Sequence, residues 1–169
     1  QTIEFRAVTK KDLPLLKRWI AMPHWQAWWG DPDREAAEIA ASLDDDAVEP
    51  MIAERGGKPF AYVQTYDPHL EDGHPYQDQP FGTIGIDLSI GEASDLNKGL
   101  GTEILTVLAE LLFEEGVPRL IIDPHPDNAA AIRCYEKAGF VAFDRRETVY
   151  GPAVMMAQEN PDFSGPDGH

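Results

Sequence analysis

A turn with two glycines opens a helical pattern near the middle of the chain, and this feature constrains the fold most. The stretch DLNKGLGTEIL covers residues 95–105 of a sequence of 169 residues. Gly99 and Gly101 let the backbone approach a ligand closely, and the N–H groups of residues 98–102 with the helix dipole favour an anion. The stretch therefore predicts a phosphate-binding turn or, as the alternative, glycines that only connect a strand to a helix.

The spacing of these glycines excludes two common phosphate-binding loops. A Walker loop requires GxxxxGK followed by Ser or Thr, and this pattern does not occur in the sequence. A dinucleotide-binding loop requires a third glycine three residues after the second, where this chain has Ile104. What remains is a short GxG turn at the start of a long helix. By itself this turn is weak evidence for phosphate binding.

Sequence periodicity predicts one mixed α/β domain over residues 1–160, followed by a loose tail at residues 161–169. The expected order of elements is β-α-α-β-β-β-α-β-α-β-β, with HWQAWWGDP at residues 24–32 irregular and residues 67–81 a long loop. The first residues lack the profile of a signal peptide, no apolar run is long enough to span a membrane, and Cys134 is the single cysteine. We therefore expect a cytoplasmic protein.

The chain is strongly acidic. It contains 14 Lys and Arg residues against 30 Asp and Glu residues, a formal net charge of −16. Such a surface repels nucleic acid and anionic lipid, so we expect neither nucleic-acid nor membrane binding. Acidic residues concentrate at 31–50 and 67–79, and a pocket bordered by either segment would prefer a cationic ligand; solubility is the alternative explanation.

A second motif follows the glycine turn. A short strand ends in Asp123-Pro124, and the pattern NxxAxxxYxxxGF then runs from Asn128 to Phe140. Asn128 is expected to cap the helix that follows and Gly139 to end it. Asn128 and Tyr135 are seven residues apart, which is about two helical turns, so they share one helix face. The glycine turn followed by this pattern resembles the GNAT superfamily of N-acetyltransferases, and the resemblance covers roughly residues 3–158.

The resemblance implies the fold and the cofactor. In this superfamily two adjacent parallel strands splay apart and hold the pantetheine arm of acetyl-CoA. An α/β (α+β) fold is therefore expected, with a single mixed sheet of six to seven strands and about four helices. Acetyl-CoA is the expected co-substrate, and no metal is expected because the histidines lack a metal-ligand spacing. The residues expected to bind the cofactor are Leu88, Ile90, Lys98, Gly99, Leu100, Gly101, Thr102, Asn128, Tyr135 and Lys137.

Further segments are similar to the aminoglycoside 6′-N-acetyltransferases in particular. They include WWGD, YVQTY, GIDLSIGEASDLNKGLGT, DPHPDNAAAIRCYEKAGF and GPAVMM. Siderophore acyltransferases, which acylate a hydroxylysine, share the PH…W element near residues 23–28 and the general scaffold. The chain departs from the aminoglycoside enzymes at residues 73–76, where those enzymes have tryptophans after an Asp-Gly and this chain has Gly-His-Pro-Tyr. The acceptor pocket is therefore expected to be altered.

Acetylation of an amine requires that the amine lose a proton, that the thioester carbonyl be polarised and that the leaving thiolate be protonated. Asp87 is the preferred candidate base by resemblance, and Asp123 is placed to share its task; a strand-end or turn role is the alternative for each. Tyr135 is the candidate acid. The backbone N–H groups near Leu88 to Ile90 are the candidate carbonyl donors.

The expected acceptor is a small cationic amine, first of all the 6′-amine of an aminoglycoside, acetylated by direct transfer in a ternary complex. Aromatic faces beside carboxylates suit an amino sugar, although a tryptophan here can also be core packing. The candidate acceptor-binding residues are Trp28, Trp29, Gln64, Tyr66, Asp72, Asp87 and Asp123. The alternatives are an N-hydroxylysine acyltransferase and a non-catalytic acyl-CoA-binding domain. For each of these functions we expect a monomer or homodimer.

Overall fold

The computed structural model describes residues 2–163, in which seven strands form one mixed sheet and five segments are α-helical. The strands are β1 (Ile3–Ala7), β2 (Val48–Arg55), β3 (Lys58–Tyr66), β4 (Ile84–Ile90), β5 (Arg119–Ile122), β6 (Val141–Thr148) and β7 (Gly151–Glu159). The helices are α1 (Leu13–Ile20), α2 (Pro23–Gln26), α3 (Pro32–Ser42), α4 (Leu100–Glu114) and α5 (Ala129–Lys137). The mixed sheet predicted from the sequence is confirmed. Residues 164–169 of the expected tail lie outside the described residues.

The described residues divide into two compact units, one of residues 2–65 and 88–100 and one of residues 66–87 and 101–163. The strands of the first unit are ordered β1-β2-β3, with β1 and β2 antiparallel. Those of the second unit are ordered β4-β5-β7-β6, with β4 and β5 parallel. The single domain expected over residues 1–160 stays a prediction.

One helix was not expected from the sequence. Residues 24–32 were predicted to be irregular, but α2 begins at Pro23 within the aromatic stretch. Proline suits the first helical position because its fixed φ is already helical and its missing N–H would have no helical partner. The turn buries Trp25 against Trp19, with ring centroids 6.2 Å apart. The irregular assignment was therefore wrong at this point, because tertiary packing and Pro23 favour a short helix.

The core of the first unit holds the segment that follows Asp87. Trp25 is buried, and its indole N–H donates to the carbonyl oxygen of Ile90 at 2.8 Å. Gly91 donates its backbone N–H to the oxygen of Phe60 at 2.8 Å. These two bonds fix the backbone of residues 90–91, at the end of β4.

In the second unit, the parallel ladder of β4 and β5 sets two acidic residues side by side. Its register pairs are Ile84 with Leu120 and Gly85 with Ile121. Side chains two residues further along a strand point to the same face. Asp87 and Asp123 therefore follow Gly85 and Ile121 on one face and at one level of the two strands.

Gly85 faces a buried tyrosine on that same side of the sheet. A Cβ atom at Gly85 would lie 2.0 Å from Cζ of Tyr66, which is 7% exposed. The glycine allows a close approach of the Tyr66 ring to the backbone of β4. Only glycine leaves room for this ring next to Asp87.

We expect the substitution Gly85→Ala to lower the free energy of unfolding by about 1–3 kcal/mol, because the methyl group must displace a packed ring. The measurement is urea denaturation of both proteins followed by circular dichroism. Gly30→Ala is the matched control, since the nearest atom to its Cβ is the flexible guanidinium end of Arg34. Equal stability of the Gly85→Ala and Gly30→Ala proteins would contradict the close approach.

Candidate active site

Five ionisable side chains meet at the end of the β4–β5 ladder in the second unit. They are Tyr66, Tyr76, Asp87, Asp123 and Tyr135. Burial raises the pKa of Tyr66 well above its ordinary value, and the charges of Asp123 and Asp87 raise it further. Burial also raises the pKa of Tyr135, and the nearby Cys134, Asp87 and Asp123 add to this effect. The two candidate carboxylates and the candidate acid thus share one electrostatic environment.

Asp123 is held by a residue that the sequence analysis did not select. The hydroxyl group of Tyr76 donates to Oδ2 of Asp123 at 2.5 Å. Burial raises the pKa of Asp123 to about 6, while the hydrogen bond from Tyr76 acts in the opposite direction because it stabilises the carboxylate. Burial, followed by the charge of Asp123, raises the pKa of Tyr76, so this phenol stays a donor.

The loop of residues 67–81 is fastened to β6 by one arginine. Arg146 donates to both carboxylate oxygens of Asp78, at 2.9 and 2.7 Å, and to the carbonyl oxygen of Pro75 at 3.4 Å. Its guanidinium carbon lies 5.8 Å from the centroid of the Tyr76 ring. Bidentate arginine–carboxylate pairs fix geometry as well as charge. Arg146 therefore holds the segment that carries Tyr76.

His74 packs among the tyrosines of this loop. Its ring stacks on Tyr66 with centroids 5.3 Å apart and meets the edge of Tyr76 at 5.1 Å. The Nδ1 atom accepts the backbone N–H of Tyr76 at 3.1 Å, and Nε2 lies 3.5 Å from Oε2 of Glu71. Burial lowers the pKa of His74. A neutral imidazole with its proton on Nε2 fits both contacts.

Helix α5, which carries Tyr135, begins after a capping residue. The side chain of Asn128 accepts the backbone N–H of Ala131 at 3.2 Å, so the cap predicted from the sequence is confirmed. Two turns later Tyr135 is buried, with 9% of its surface exposed. The phenol of an ordinary tyrosine is already protonated at neutral pH, and the raised pKa of Tyr135 keeps it so, which leaves Tyr135 a proton to give.

The glycine turn leads directly into helix α4. Gly99 has a φ of +74°, and no atom lies within 4 Å of the position that a Cβ would take there. Helix α4 begins at Leu100, before the second glycine. Thr102 donates to the carbonyl oxygen of Cys134 at 3.2 Å, which joins the first turn of α4 to α5. Lys98 is exposed and lies 3.7 Å from Asp95.

The remaining candidate residues are divided between the two units. Trp28 is 48% exposed, and Trp29 is half-buried and donates to Oγ of Ser89 at 3.0 Å. Gln64 accepts the hydroxyl hydrogen of Tyr62 at 2.6 Å. These residues belong to the first unit. The second unit contains Asp72 and Lys137, both exposed. The functional roles assigned to all of the site residues stay predictions.

The described part of the chain has no cluster of three or more His, Cys, Asp or Glu residues suited to a metal ion. In the same part, none of the helices is both long and apolar enough to cross a membrane.

The family of the chain follows from comparison with known proteins. Residues 8–148 match the family model described as an acetyltransferase (GNAT) domain. The chain therefore belongs to the GNAT family of acetyltransferases, and the resemblance stated from its two motifs is confirmed.

Three similar proteins indicate a narrower class within this family. The aminoglycoside N(6′)-acetyltransferase type 1 of Klebsiella pneumoniae is 37% identical over 171 residues, covering 96% of this chain and 85% of the relative. The crystal structure of the aminoglycoside acetyltransferase AAC(6′)-Ib with coenzyme A and kanamycin is 38% identical, with a TM-score of 0.84 and coverage of 94% and 95%. The lysine N-acyltransferase MbtK of Mycobacterium tuberculosis is 25% identical over 167 residues, covering 92% and 77%. The chain is thus an N-acetyltransferase by family and similar to the aminoglycoside 6′-enzymes.

Proposed function

We propose that this protein transfers the acetyl group of acetyl-CoA to the 6′-amine of an aminoglycoside, by direct transfer in a ternary complex. The observation that carries the proposal is the placement of Asp87 and Asp123 on one face of β4 and β5, next to the buried Tyr135. Two carboxylates attract a polycationic acceptor, and the similarity to aminoglycoside N(6′)-acetyltransferases supports this choice. A cytoplasmic location and a role in antibiotic resistance are parts of the same proposal.

The residues of the glycine turn fit the phosphates of acetyl-CoA. Gly99 leaves open space beside the backbone, and the first N–H groups of α4 are free of helical partners by geometry. The acetyl thioester supplies an electrophilic carbonyl carbon when it is bound. Residues 98–102 and Asn128 are assigned to its binding, together with the backbone of Leu88 and Ile90 and the side chain of Lys137.

The proposed chemistry divides the proton transfers between two residues. Asp87 accepts one proton from the acceptor ammonium, with Asp123 beside it to bind the cation, and the free amine then attacks the carbonyl carbon. The new C–N bond replaces the C–S bond. Tyr135 gives its proton to the leaving sulfur and regains one from the attacking nitrogen. The products are the amide, coenzyme A as a thiol and one proton, which leaves Asp87 for solvent.

Five further side chains, together with Asp123, are proposed to contact the acceptor. Trp28, Trp29 and Tyr66 would offer aromatic faces, Gln64 a hydrogen bond, and Asp72 with Asp123 negative charge. Aromatic and acidic groups together favour an amino sugar that carries several ammonium groups.

We expect the protein to release free coenzyme A from acetyl-CoA when kanamycin is added, at a rate that saturates with kanamycin. The measurement is thiol release detected with a disulfide reagent, together with mass spectrometry and NMR of the product to locate the acetyl group. Nε-hydroxylysine is the competing acceptor in parallel assays. Release with hydroxylysine alone would overturn the aminoglycoside assignment, and release with neither acceptor despite binding of coenzyme A would point to a non-catalytic domain.

A further inference from the structure

The loop of residues 67–81 brings a tyrosine hydroxyl group into the acidic site. Tyr76 is 1% exposed, and its hydroxyl donates to Oδ2 of Asp123 at 2.5 Å. The two residues are 47 positions apart, so no local turn explains the contact.

Several contacts fix Tyr76 where it stands. Its backbone N–H donates to Nδ1 of His74, and its ring lies beside that imidazole and the guanidinium of Arg146. Arg146 in turn pairs with Asp78 two residues after Tyr76. Because these contacts already order the phenol, little of its conformational entropy is lost when a cation binds at the site. Tyr76 is therefore suited to holding the side chain of Asp123.

We propose that Tyr76 is a positioning residue for acetyl transfer: its hydroxyl group holds Oδ2 of Asp123 and so leaves the other carboxylate oxygen for the acceptor ammonium. This proposal rests on the proposed function. A buried carboxyl without this donor could rotate and would keep its proton more readily, because burial disfavours the charged form.

The groups that face Asp123 come from every element packed around it. Tyr76 approaches from the loop, Tyr66 from the end of β3, Asp87 from β4 and Tyr135 from α5. Arg146 of β6 is the cation close to Tyr76, and its charge partly offsets the effect of the carboxylates on that phenol. Of these neighbours, Tyr76 makes the hydrogen bond that lowers the pKa of Asp123.

The test is the substitution Tyr76→Phe, which removes the hydroxyl group and keeps the ring. NMR titration of the carboxyl carbons locates the Asp123 signal by its absence in Asp123→Asn. We expect the pKa of Asp123, about 6 in the wild type, to rise by on the order of one unit in the variant. The ratio of variant to wild-type kcat/KM for kanamycin should then be about fivefold lower at pH 6 than at pH 8.

Tyr150→Phe is the matched control, because Tyr150 is 71% exposed and also lies beside His74, with centroids 6.2 Å apart. Its activity ratio should be the same at both pH values. An unchanged pKa of Asp123 in Tyr76→Phe, or an activity loss equal at pH 6 and pH 8, would overturn the positioning role. If the wild type does not turn over kanamycin, the proposed function fails, whereas the NMR titration still decides whether Tyr76 controls Asp123.

Discussion

The substitution Asp87→Asn is expected to lower kcat/KM for kanamycin by about 10²–10³ at pH 7.5. A positioned general base contributes on the order of 10²–10⁴ to a rate, and an amide of nearly the same shape cannot take the proton. Asp87 is placed for this role because it continues β4 on the face that also carries Asp123. Its charge acts on the phenols of Tyr66, Tyr76 and Tyr135, so it stands close to the candidate acid. The measurement is steady-state kinetics of thiol release.

The control for lost charge is Glu110→Gln, which removes one negative charge from the exposed surface of α4. We expect its kcat/KM to stay within about twofold of the wild type. Asp123→Asn distinguishes the two carboxylates. If Asp87 is the base, Asp87→Asn lowers kcat, whereas Asp123→Asn mainly raises KM for kanamycin. The reverse pattern would assign the base to Asp123.

The substitution Tyr135→Phe is expected to lower kcat by about 10² and to leave KM for acetyl-CoA nearly unchanged, because a general acid acts only as the C–S bond breaks. The phenol is buried, and burial keeps its pKa above the ordinary value, so it is protonated throughout the working pH range. Phenylalanine keeps the ring that packs there. The measurement is kcat at saturating concentrations of both substrates.

Glu136→Gln is the control for this helix, since the neighbouring side chain is exposed on α5. Its kcat should remain within about twofold of the wild type. A Tyr135→Phe protein that keeps half or more of the wild-type kcat would show that the sulfur receives its proton from another donor. The assignment of Tyr135 would then be wrong even if the acceptor is an aminoglycoside.

Features with a local physical cause could be predicted from the sequence. Asn128 caps α5 because its side chain reaches a backbone N–H three residues ahead, and this needs no information from the rest of the chain. Gly139, with a φ of +104°, ends the same helix as expected. The candidate residues Asp87 and Asp123 could also be selected from local order, since Asp87 lies within one short apolar strand and Asp123 directly follows another.

Features that depend on distant partners could not be predicted. The segment of residues 73–76 is unusual in the sequence, but no local pattern gives a role to Tyr76 or His74. Tyr76 reaches Asp123 over 47 positions, and Arg146 reaches Asp78 over 68. A hydroxyl–carboxylate pair at such separations has no periodicity, so only the folded chain shows it. Trp25 likewise became part of a helix because of packing that a local pattern does not contain.

The attachment of the 67–81 loop bears on how related enzymes come to differ in selectivity. Asp87 lies in β4 and Asp123 follows β5, whereas Tyr76 and His74 lie on a loop. This loop is held by the Arg146–Asp78 ion pair and by hydrogen bonds from Tyr76 to Asp123 and from Arg119 to Gln79. Loops tolerate insertion and exchange far better than a sheet does. An exchange of this loop between relatives would therefore change the donor that holds Asp123, while the strands next to the two carboxylates stay the same.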